Sequence, residues 1–286
     1  MEPLYKTFSR STLGQNGYLT DFEILCPDNF NFAYDVVDEI ARQEPDKTAL
    51  VWRDVQGNEK ILTFGEMSAL SSKAAAALQH AGIQRGDRVM VILKRHYEYW
   101  YTILALHKLG AVAIPATYML SAKDIVYRVQ NAGVCAVIAA EDEQICTHIL
   151  AAQAECPTLR LLFNVRQDRA GFIRLDTALQ QESDDFERVE TASTDPFILY
   201  FTSGTTGDPK AVQDGGLHLT VADTGWGKAS WGKIYGQWLA GCAVMVYDFE
   251  RFVAADLMAV VKKYHVTSFC APPTIYRFLV KSGLDN

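Results

Sequence analysis

A stretch rich in glycine and hydroxyl side chains lies at residues 200–210, with the sequence YFTSGTTGDPK. It follows directly on an apolar run, FILYF, at residues 197–201. Backbone N–H groups, hydroxyl donors and a lysine in one short loop are the groups that bind a phosphate. The candidate phosphate ligands are Thr202, Ser203, Gly204, Thr205, Thr206, Gly207 and Lys210.

The composition of this loop allows two interpretations. Gly204 and Gly207 let the backbone approach a ligand closely, and Lys210 adds a positive charge. Each hydrogen bond to a charged oxygen contributes about 1.5–3 kcal/mol, so several such bonds would hold a triphosphate. An ordinary surface turn rich in serine and glycine has the same composition. Composition alone does not separate the phosphate loop from the turn.

The best-known nucleotide loops do not fit the spacing. A Walker A loop needs a second glycine five residues after the first, but Pro209 stands five residues after Gly204, and Ala211 follows Lys210 where Ser or Thr is required. No GxGxxG sequence follows a strand, which excludes a Rossmann dinucleotide site. Ser203 lacks a recognisable His–Asp relay in the sequence, which argues against a hydrolase nucleophile.

The surrounding chain alternates between unbroken apolar strands and helices. This alternation predicts an α/β fold with layered, mostly parallel sheets flanked by helices in two subdomains. The predicted strands include residues 88–93, 111–114, 134–138, 159–163, 243–247 and 266–270. The predicted helix signals are capping boxes at Thr63 with Glu66 and at Ser121 with Asp124, and stop glycines at Gly82 and Gly110.

We divide the chain into three parts. Residues 1–28 show no clear period and are interpreted as an N-terminal arm wrapped on the body. Residues 29–190 form a first α/β subdomain, and residues 191–286 form a second one that carries the phosphate loop. The boundary is placed at the end of a polar, acidic stretch, because such stretches connect units at the surface.

The bulk composition is typical of a soluble globular protein. Hydrophobic residues make up 49% and charged residues 21% of the 286 residues. The net charge of −7 gives no electrostatic footprint for nucleic acid. The sequence has no run of 18 apolar residues, so it predicts no membrane span. The six scattered cysteines favour free thiols in a reducing compartment. We expect a soluble cytoplasmic protein; a homo-oligomer is neither favoured nor excluded.

The order of residues in the glycine loop resembles the signature phosphate loop of the adenylate-forming superfamily. Four further stretches are similar to the acyl-CoA synthetase branch, and especially to its medium-chain and aromatic-acid members. They are NFNFAYDVVD at 29–38, RGDRV at 85–89, KLGAVAIP at 108–115 and APPTIYR at 271–277. The resemblance therefore runs from about residue 29 to the end of the chain.

This resemblance implies an AMP-forming acid–CoA ligase. Such an enzyme joins a small carboxylic acid to ATP as an acyl-adenylate and then transfers the acyl group to coenzyme A, with Mg²⁺ sharing the charge. The resemblance covers only the N-terminal part of the family's chains. The mobile C-terminal domain and the catalytic residues expected beyond Asn286 are absent, so no catalytic residue is assignable and the 286 residues alone are expected to be inactive. Two alternatives are an adenylation domain that loads a carrier protein and a fragment that binds nucleotide without turnover.

The resemblance also places a candidate substrate pocket after the loop. Gly225 and Trp226 match the family region that walls the carboxylate pocket, although Trp226 in the core is an equally good interpretation. Trp231 and Trp238 are interpreted as core residues. Between Val212 and the segment that leads to Trp226, family members carry a helix-sized stretch that this sequence replaces with a direct connection. Either the chain has a true deletion, or the sequence omits a mobile loop; we expect the omission, because both flanks fit the family.

Overall fold

The computed structural model describes residues 4–201 and 214–282. These residues form two five-stranded sheets, a separate two-stranded hairpin and the helices that cover the sheets. The predicted α/β fold with mostly parallel sheets and flanking helices is confirmed. All seven candidate phosphate ligands between Thr202 and Lys210 lie outside the described residues.

The strands and helices have the following bounds. The strands are β1 (Ser9–Leu13), β2 (Leu19–Ile24), β3 (Thr48–Asp54), β4 (Glu59–Thr63), β5 (Arg88–Ile92), β6 (Val112–Pro115), β7 (Ala136–Ala139), β8 (Leu161–Asn164), β9 (Ile173–Arg174), β10 (Leu217–Thr220), β11 (Ala243–Asp248) and β12 (Ser268–Cys270). The helices are α1 (Glu39–Gln43), α2 (Phe64–His80), α3 (Glu98–Leu109), α4 (Ala122–Ala132), α5 (Glu143–Glu155), α6 (Leu175–Leu179), α7 (Gly227–Lys233), α8 (Tyr235–Leu239), α9 (Ala254–Lys263) and α10 (Pro273–Lys281).

The first sheet is parallel throughout, in the order β6-β5-β7-β8-β9. Strands β6 and β7 are buried along their whole length, which explains why their sequences are continuous apolar runs. Parallel neighbours need a crossover, and α3, α4 and α5 supply it between β5 and β8. Gly110 and Gly133, with φ of 66° and 62°, end α3 and α4 in the left-handed conformation.

The second sheet has the order β12-β10-β11-β3-β4. Strand β3 pairs antiparallel with β4 and parallel with β11, so residues 48–63 join a sheet whose other strands lie after residue 214. The predicted units 29–190 and 191–286 therefore divide the chain differently from the two sheets. The cause is a long-range strand pairing that no local pattern reveals. The predicted domain boundaries otherwise remain predictions.

The N-terminal residues, which we predicted as an arm wrapped on the body, contain a β-hairpin. Strands β1 and β2 pair antiparallel from Ser9 opposite Ile24 to Leu13 opposite Leu19. All of β2 and most of β1 are exposed, and the hairpin approaches the body through the rings of Phe8 and Phe30, whose centroids are 5.0 Å apart. The alternation is difficult to recognise in the sequence because the hairpin has no buried face.

Helix α3 lies in the main hydrophobic core, which contains residues of both sheets, and all twelve of its residues are buried. Its aromatic side chains Tyr99, Trp100 and Tyr101 pack in this core, as the sequence predicts. In the described part of the chain, no helix is long and apolar enough to cross a bilayer.

Lys108 is a charged residue of the buried helix α3 and has its partners inside the protein. The Lys108 side chain is 1% exposed, and its Nζ donates to Asp38 at 2.9 Å and to the Ser72 hydroxyl at 2.8 Å. Burial lowers the pKa of Lys108, and burial is also the largest influence on Asp38, whose pKa it raises. Burial of the two charges costs desolvation free energy. The attraction between Lys108 and Asp38 offsets this cost only while both partners are present.

We expect Lys108→Ala to destabilise the protein by about 3–5 kcal/mol, because it leaves the Asp38 carboxylate buried without its cation. Lys108→Met combined with Asp38→Leu should recover most of that loss. Urea unfolding of the variants measures the difference, and Lys123→Ala, at an exposed lysine of α4, is the control. An unchanged midpoint in Lys108→Ala would show that the pair does not hold α3 in the core.

Candidate functional site

Strand ends from both sheets meet at the segment that follows β5. Trp52 of β3 donates its indole N–H to the Arg95 carbonyl at 2.9 Å. Arg95 Nη1 donates to the Phe249 carbonyl, just after β11, at 2.8 Å. The Thr224 hydroxyl, which follows β10, donates to the Lys94 carbonyl. Ligands of parallel α/β sheets bind at the carboxyl ends of the strands, so this edge is the candidate site.

Two residues at this edge have unusual backbone conformations. Lys94 and Arg166, which follow β5 and β8, have φ of 48° and 66° without being glycine. Side chains from neighbouring segments hold both: Lys94 Nζ lies 2.8 Å from Asp142, and the Arg166 N–H donates to Asp176 at 3.0 Å. Left-handed non-glycine residues cost about 1–3 kcal/mol each and cluster at functional sites.

Five side chains of alternating charge cross this edge as a continuous chain, which we call the inter-sheet ion chain. Its members, in spatial order, are Glu98, Arg166, Glu141, His96 and Asp248. Arg166 binds both Glu98 oxygens, at 2.6 and 2.8 Å, and its Nη1 lies 3.7 Å from Glu141. The His96 ring nitrogens lie 2.9 Å from Glu141 and 3.1 Å from Asp248. Glu141 follows β7 and Asp248 ends β11, so the chain connects the two sheets.

The ion chain keeps His96 protonated. Burial alone lowers the pKa of His96, but its hydrogen bonds to Asp248 and Glu141 outweigh burial and raise that pKa to about 9. For Glu141, burial raises the pKa, while the contact with His96 outweighs it and brings that pKa down to about 2. His96 is therefore a cation at neutral pH between two carboxylates.

The lead-in to the phosphate loop reaches the same edge. Residues 197–199 lie beside β6, where the Ala113 N–H donates to the Phe197 carbonyl at 3.0 Å and the Leu199 N–H donates to the Ala113 carbonyl at 2.9 Å. The pairing is parallel, so the chain runs with β6 and reaches Phe201 at the carboxyl end. The Tyr200 hydroxyl is hydrogen-bonded to the Ser230 hydroxyl of α7.

The predicted substrate-pocket residues lie in a turn between β10 and α7. The Gly225 N–H donates to Asp223 Oδ1 at 3.0 Å, which closes the turn. Gly225 packs directly on the backbone that follows β6, because a Cβ at this position would lie 2.8 Å from the Ala116 oxygen and closer still to the Thr117 nitrogen. Trp226 is 59% exposed beside this contact and is therefore not a core residue. Its role in a pocket stays a prediction.

The other two tryptophans differ. Trp238 is fully buried and donates its indole N–H to the Ala49 carbonyl at 3.0 Å, which confirms the core interpretation. Trp231 is 57% exposed, and its ring contacts the ring of Tyr235 in a tilted arrangement. The core interpretation of Trp231 is therefore wrong. Its position on the outer face of the short helix α7 explains the difference.

Lys233, which we did not single out in the sequence, lies buried beneath the turn. Its side chain is 1% exposed, and Nζ donates to the Ala222 carbonyl at 3.0 Å and lies 5.9 Å from the centre of the Trp100 ring. Burial and the nearby Arg95 lower the pKa of Lys233 to about 7, against the opposing effect of Asp223. A lysine at the end of a short helix carries no local signal of such burial.

Histidine and metal chemistry find little support here. His218 is bound through both ring nitrogens, to the Ser268 and Thr220 hydroxyls at 2.7 Å each. Burial lowers the pKa of His218 to about 4, so the ring is neutral. Across residues 4–201 and 214–282, no group of three His, Cys, Asp or Glu side chains could hold a metal ion.

A family model described as AMP-binding enzyme matches residues 37–214, which is more than half of the chain. The chain belongs to the AMP-binding enzyme family. The match includes the phosphate-loop sequence and the first sheet, together with the residues 94–96 that connect this sheet to the second one.

Curated relatives of this AMP-binding chain are acyl-CoA synthetases. It is 35% identical to the mitochondrial acyl-coenzyme A synthetase ACSM4 of Homo sapiens over 302 positions, which cover 94% of this chain and 52% of the relative. It is 34% identical to the mitochondrial ACSM3 of Mus musculus, over 100% of this chain and 54% of the relative. The chain thus spans about half the length of the curated relatives it matches.

Solved structures share the fold. The acyl-CoA synthetase of Brucella canis superposes with a TM-score of 0.79 at 22% identity, over 90% of this chain and 50% of that chain. The acetoacetyl-CoA synthetase of Streptomyces lividans gives a TM-score of 0.78 at 19% identity, over 92% of this chain and 45% of that chain. At these identities the likeness establishes the fold alone.

We expect Gly225→Ala to destabilise the protein by about 1–3 kcal/mol, because the added methyl forces the turn away from the backbone after β6. Gly236→Ala is the matched control: its Cβ would meet nothing closer than 3.9 Å, and alanine favours helix α8 by about 0.5–1 kcal/mol. Thermal unfolding compares the two. Equal changes in melting temperature in both variants would mean that the turn does not need a residue without a Cβ at position 225.

The buried amine of Lys233 predicts a pH-dependent stability. Between pH 7 and 10.5 the unfolded chain binds a proton on Lys233 that the folded chain does not, so this group makes stability rise with pH. Lys233→Met removes the penalty and should stabilise the protein by roughly 2–5 kcal/mol at pH 7, with the gain shrinking toward pH 10. Denaturant unfolding at several pH values measures the gain, with Lys228→Met of the same helix as control. A gain independent of pH would contradict the account.

Proposed function

We propose that the protein provides the nucleotide- and acid-binding half of an AMP-forming acid–CoA ligase. One observation carries the proposal: residues 197–199, which immediately precede the phosphate-loop sequence in the chain, run along β6 toward the strand edge where the turn with Trp226 also lies. A loop for phosphate and a pocket for carboxylate at one edge is what joining ATP to an acid requires. Membership of the AMP-binding family and the ACSM relatives support it.

The proposed chemistry has two steps. The carboxylate oxygen attacks the α-phosphorus of ATP, forms an acyl-adenylate and expels pyrophosphate; the thiol of coenzyme A then displaces AMP. The first step brings an anion onto a polyanion, so it needs cations and oriented N–H donors. In this proposal Lys210 and the hydroxyls of residues 202–206 hold the β and γ phosphates of the leaving group.

Magnesium accompanies ATP in such reactions and offsets charge on the phosphates. The described residues provide no cluster that fits a metal ion, so we assign it no protein ligand and derive no step through it. Coenzyme A and the acid are the proposed small-molecule partners. The acid is of medium-chain or aromatic type, as the resemblance implies. Cytoplasmic localisation stays a prediction, and the ACSM relatives are described as mitochondrial.

The connection after Val212 is compatible with this proposal. The alignment with human ACSM4 runs over 302 positions although this chain has 286 residues, so the relative carries residues within the aligned region that have no counterpart here. A helix-sized stretch missing after Val212 would account for them. The intact mass of the purified protein tests the expected omission: a mass that corresponds to these 286 residues would mean a true deletion.

Carboxylate-dependent exchange between ATP and labelled pyrophosphate tests the proposed reaction. In the full-length protein we expect exchange that requires a medium-chain or aromatic acid, and release of AMP when coenzyme A is added. Transfer to a carrier protein instead of coenzyme A would favour the adenylation-domain alternative. Nucleotide binding without exchange by the 286 residues, when the full-length protein does exchange, would favour the binding-only alternative. Absence of exchange in the full-length protein across a broad panel of acids would contradict the ligase.

Lys210→Ala should weaken binding of ATP by about 10- to 100-fold, because one charge-assisted hydrogen bond to phosphate contributes about 1.5–3 kcal/mol. Binding of AMP, which lacks the β and γ phosphates, should change much less. Titration calorimetry with both nucleotides measures the two affinities, and Lys262→Ala, at an exposed lysine of α9, is the control. Equal losses for ATP and AMP would remove Lys210 from the β and γ phosphates.

A further inference from the structure

The two halves of the proposed site belong to different sheets. The lead-in to the phosphate loop is hydrogen-bonded to β6 of the first sheet through Ala113. The turn that ends in Trp226 follows β10 of the second sheet. A ligand that engages both halves therefore depends on how the two strand edges are held relative to each other.

His96 is the member of the inter-sheet ion chain that joins the sheets. Its ring lies between Glu141, after β7 of the first sheet, and Asp248, at the end of β11 of the second, and its residue is only 7% exposed. Arg166 forms an ion pair with Glu141 on the side away from His96, and Arg166 itself forms an ion pair with Glu98. Of the charged groups that face the ring, two are carboxylates and one is a guanidinium.

The protonation state of His96 decides whether both links exist. An imidazolium donates from Nδ1 to Asp248 and carries a protonated, positively charged Nε2 2.9 Å from Glu141, so it attracts both carboxylates at once. A neutral imidazole donates from one nitrogen only, and the other nitrogen then presents a lone pair to a carboxylate. One carboxylate loses its partner in that state and repels the ring nitrogen, which favours separation of the two edges.

We propose that protonated His96 is a positioning residue that couples nucleotide binding at the first sheet to acid binding at the second. The inference rests on the proposed function, because it needs both ligands to bind at this edge. His96 itself touches neither ligand and acts by keeping the Glu141 and Asp248 edges in one arrangement. Occupation of one half then favours the arrangement that the other ligand needs.

Calorimetry without turnover tests this coupling. The purified protein is titrated with α,β-methylene-ATP in the absence and presence of octanoate or benzoate, and the ratio of the two affinities is the coupling factor. Wild type should show a coupling factor of about 5 or more. His96→Gln and Asp248→Asn should each reduce the factor toward 1 and leave the affinity for each ligand alone within about two-fold. His96→Lys, which keeps the positive charge, should retain more of the coupling than His96→Gln.

The control is His80→Gln, which removes an exposed histidine that also contacts a carboxylate, Glu182, at 2.9 Å; it should leave the coupling unchanged. If the His96 variants do not fold, the coupling factor of the wild-type protein is measured as a function of pH instead. The coupling should disappear as the pH rises through about 9, the value to which the two carboxylates raise the pKa of His96. Asp248→Asn should move that midpoint to lower pH.

The outcomes separate this inference from the proposed function. Acid-dependent pyrophosphate exchange together with equal coupling in wild type and His96→Gln would overturn the role of His96 and leave the ligase standing. Absence of coupling in wild type would also overturn it. Coupling that depends on His96, without any exchange by the full-length protein, would support the inference and contradict the ligase.

Discussion

The segment after β5 must satisfy two sheets at once, and the rest of the structure depends on this constraint. The segment continues directly from β5 of the first sheet. Its backbone carbonyls at Lys94 and Arg95, however, accept hydrogen bonds from Thr224, which follows β10, and from Trp52 of β3, and both of these strands belong to the second sheet. The left-handed backbone of Lys94 is the local cost of that double role. Helix α3 begins directly after this segment and is buried along its whole length. A change in the conformation of the segment would therefore displace the core.

Charge at this edge is buried in pairs and chains rather than singly. Buried ion pairs contribute little net stability, because desolvation offsets their attraction, but removal of one partner is expensive. The inter-sheet ion chain follows this rule, because each charge lies next to at least one opposite charge. Lys233 is the departure from this rule: it is buried beneath the turn of Gly225 and Trp226 with a carbonyl as its hydrogen-bond partner, and its pKa is lowered to about 7. Stability that rises with pH above neutrality is the physical consequence.

The sequence predicts local structure well where local chemistry determines it. The capping boxes at Thr63 and Ser121 and the glycine end of α3 at Gly110 are present as predicted, since each needs only residues within one turn. The apolar runs of the first sheet are strands because both of their faces are buried. The pairing of β3 with β11 joins residues almost 200 positions apart and has no local signal. It decides which strands share a sheet.

The site is less predictable for the same reason. The phosphate-loop sequence is recognisable because its ligands are contiguous, whereas the ion chain brings together residues from 96 to 248 through the fold. Gly225 was noted in the sequence as a pocket residue, and the structure adds a reason for glycine there: its Cα packs on the backbone after β6. Trp231 was assigned to the core from residue type alone, which does not reveal the exposed face of a short helix.

The central claim is that nucleotide and acid meet at the strand edge shared by the two sheets. A crystal structure of the protein with ATP and a carboxylate that it binds tests this claim most directly. The account predicts phosphate density beside Phe201 and the carboxylate beside the turn of Gly225 and Trp226. Density for the nucleotide elsewhere, such as in the groove that is lined by His80 and Arg188, would contradict it.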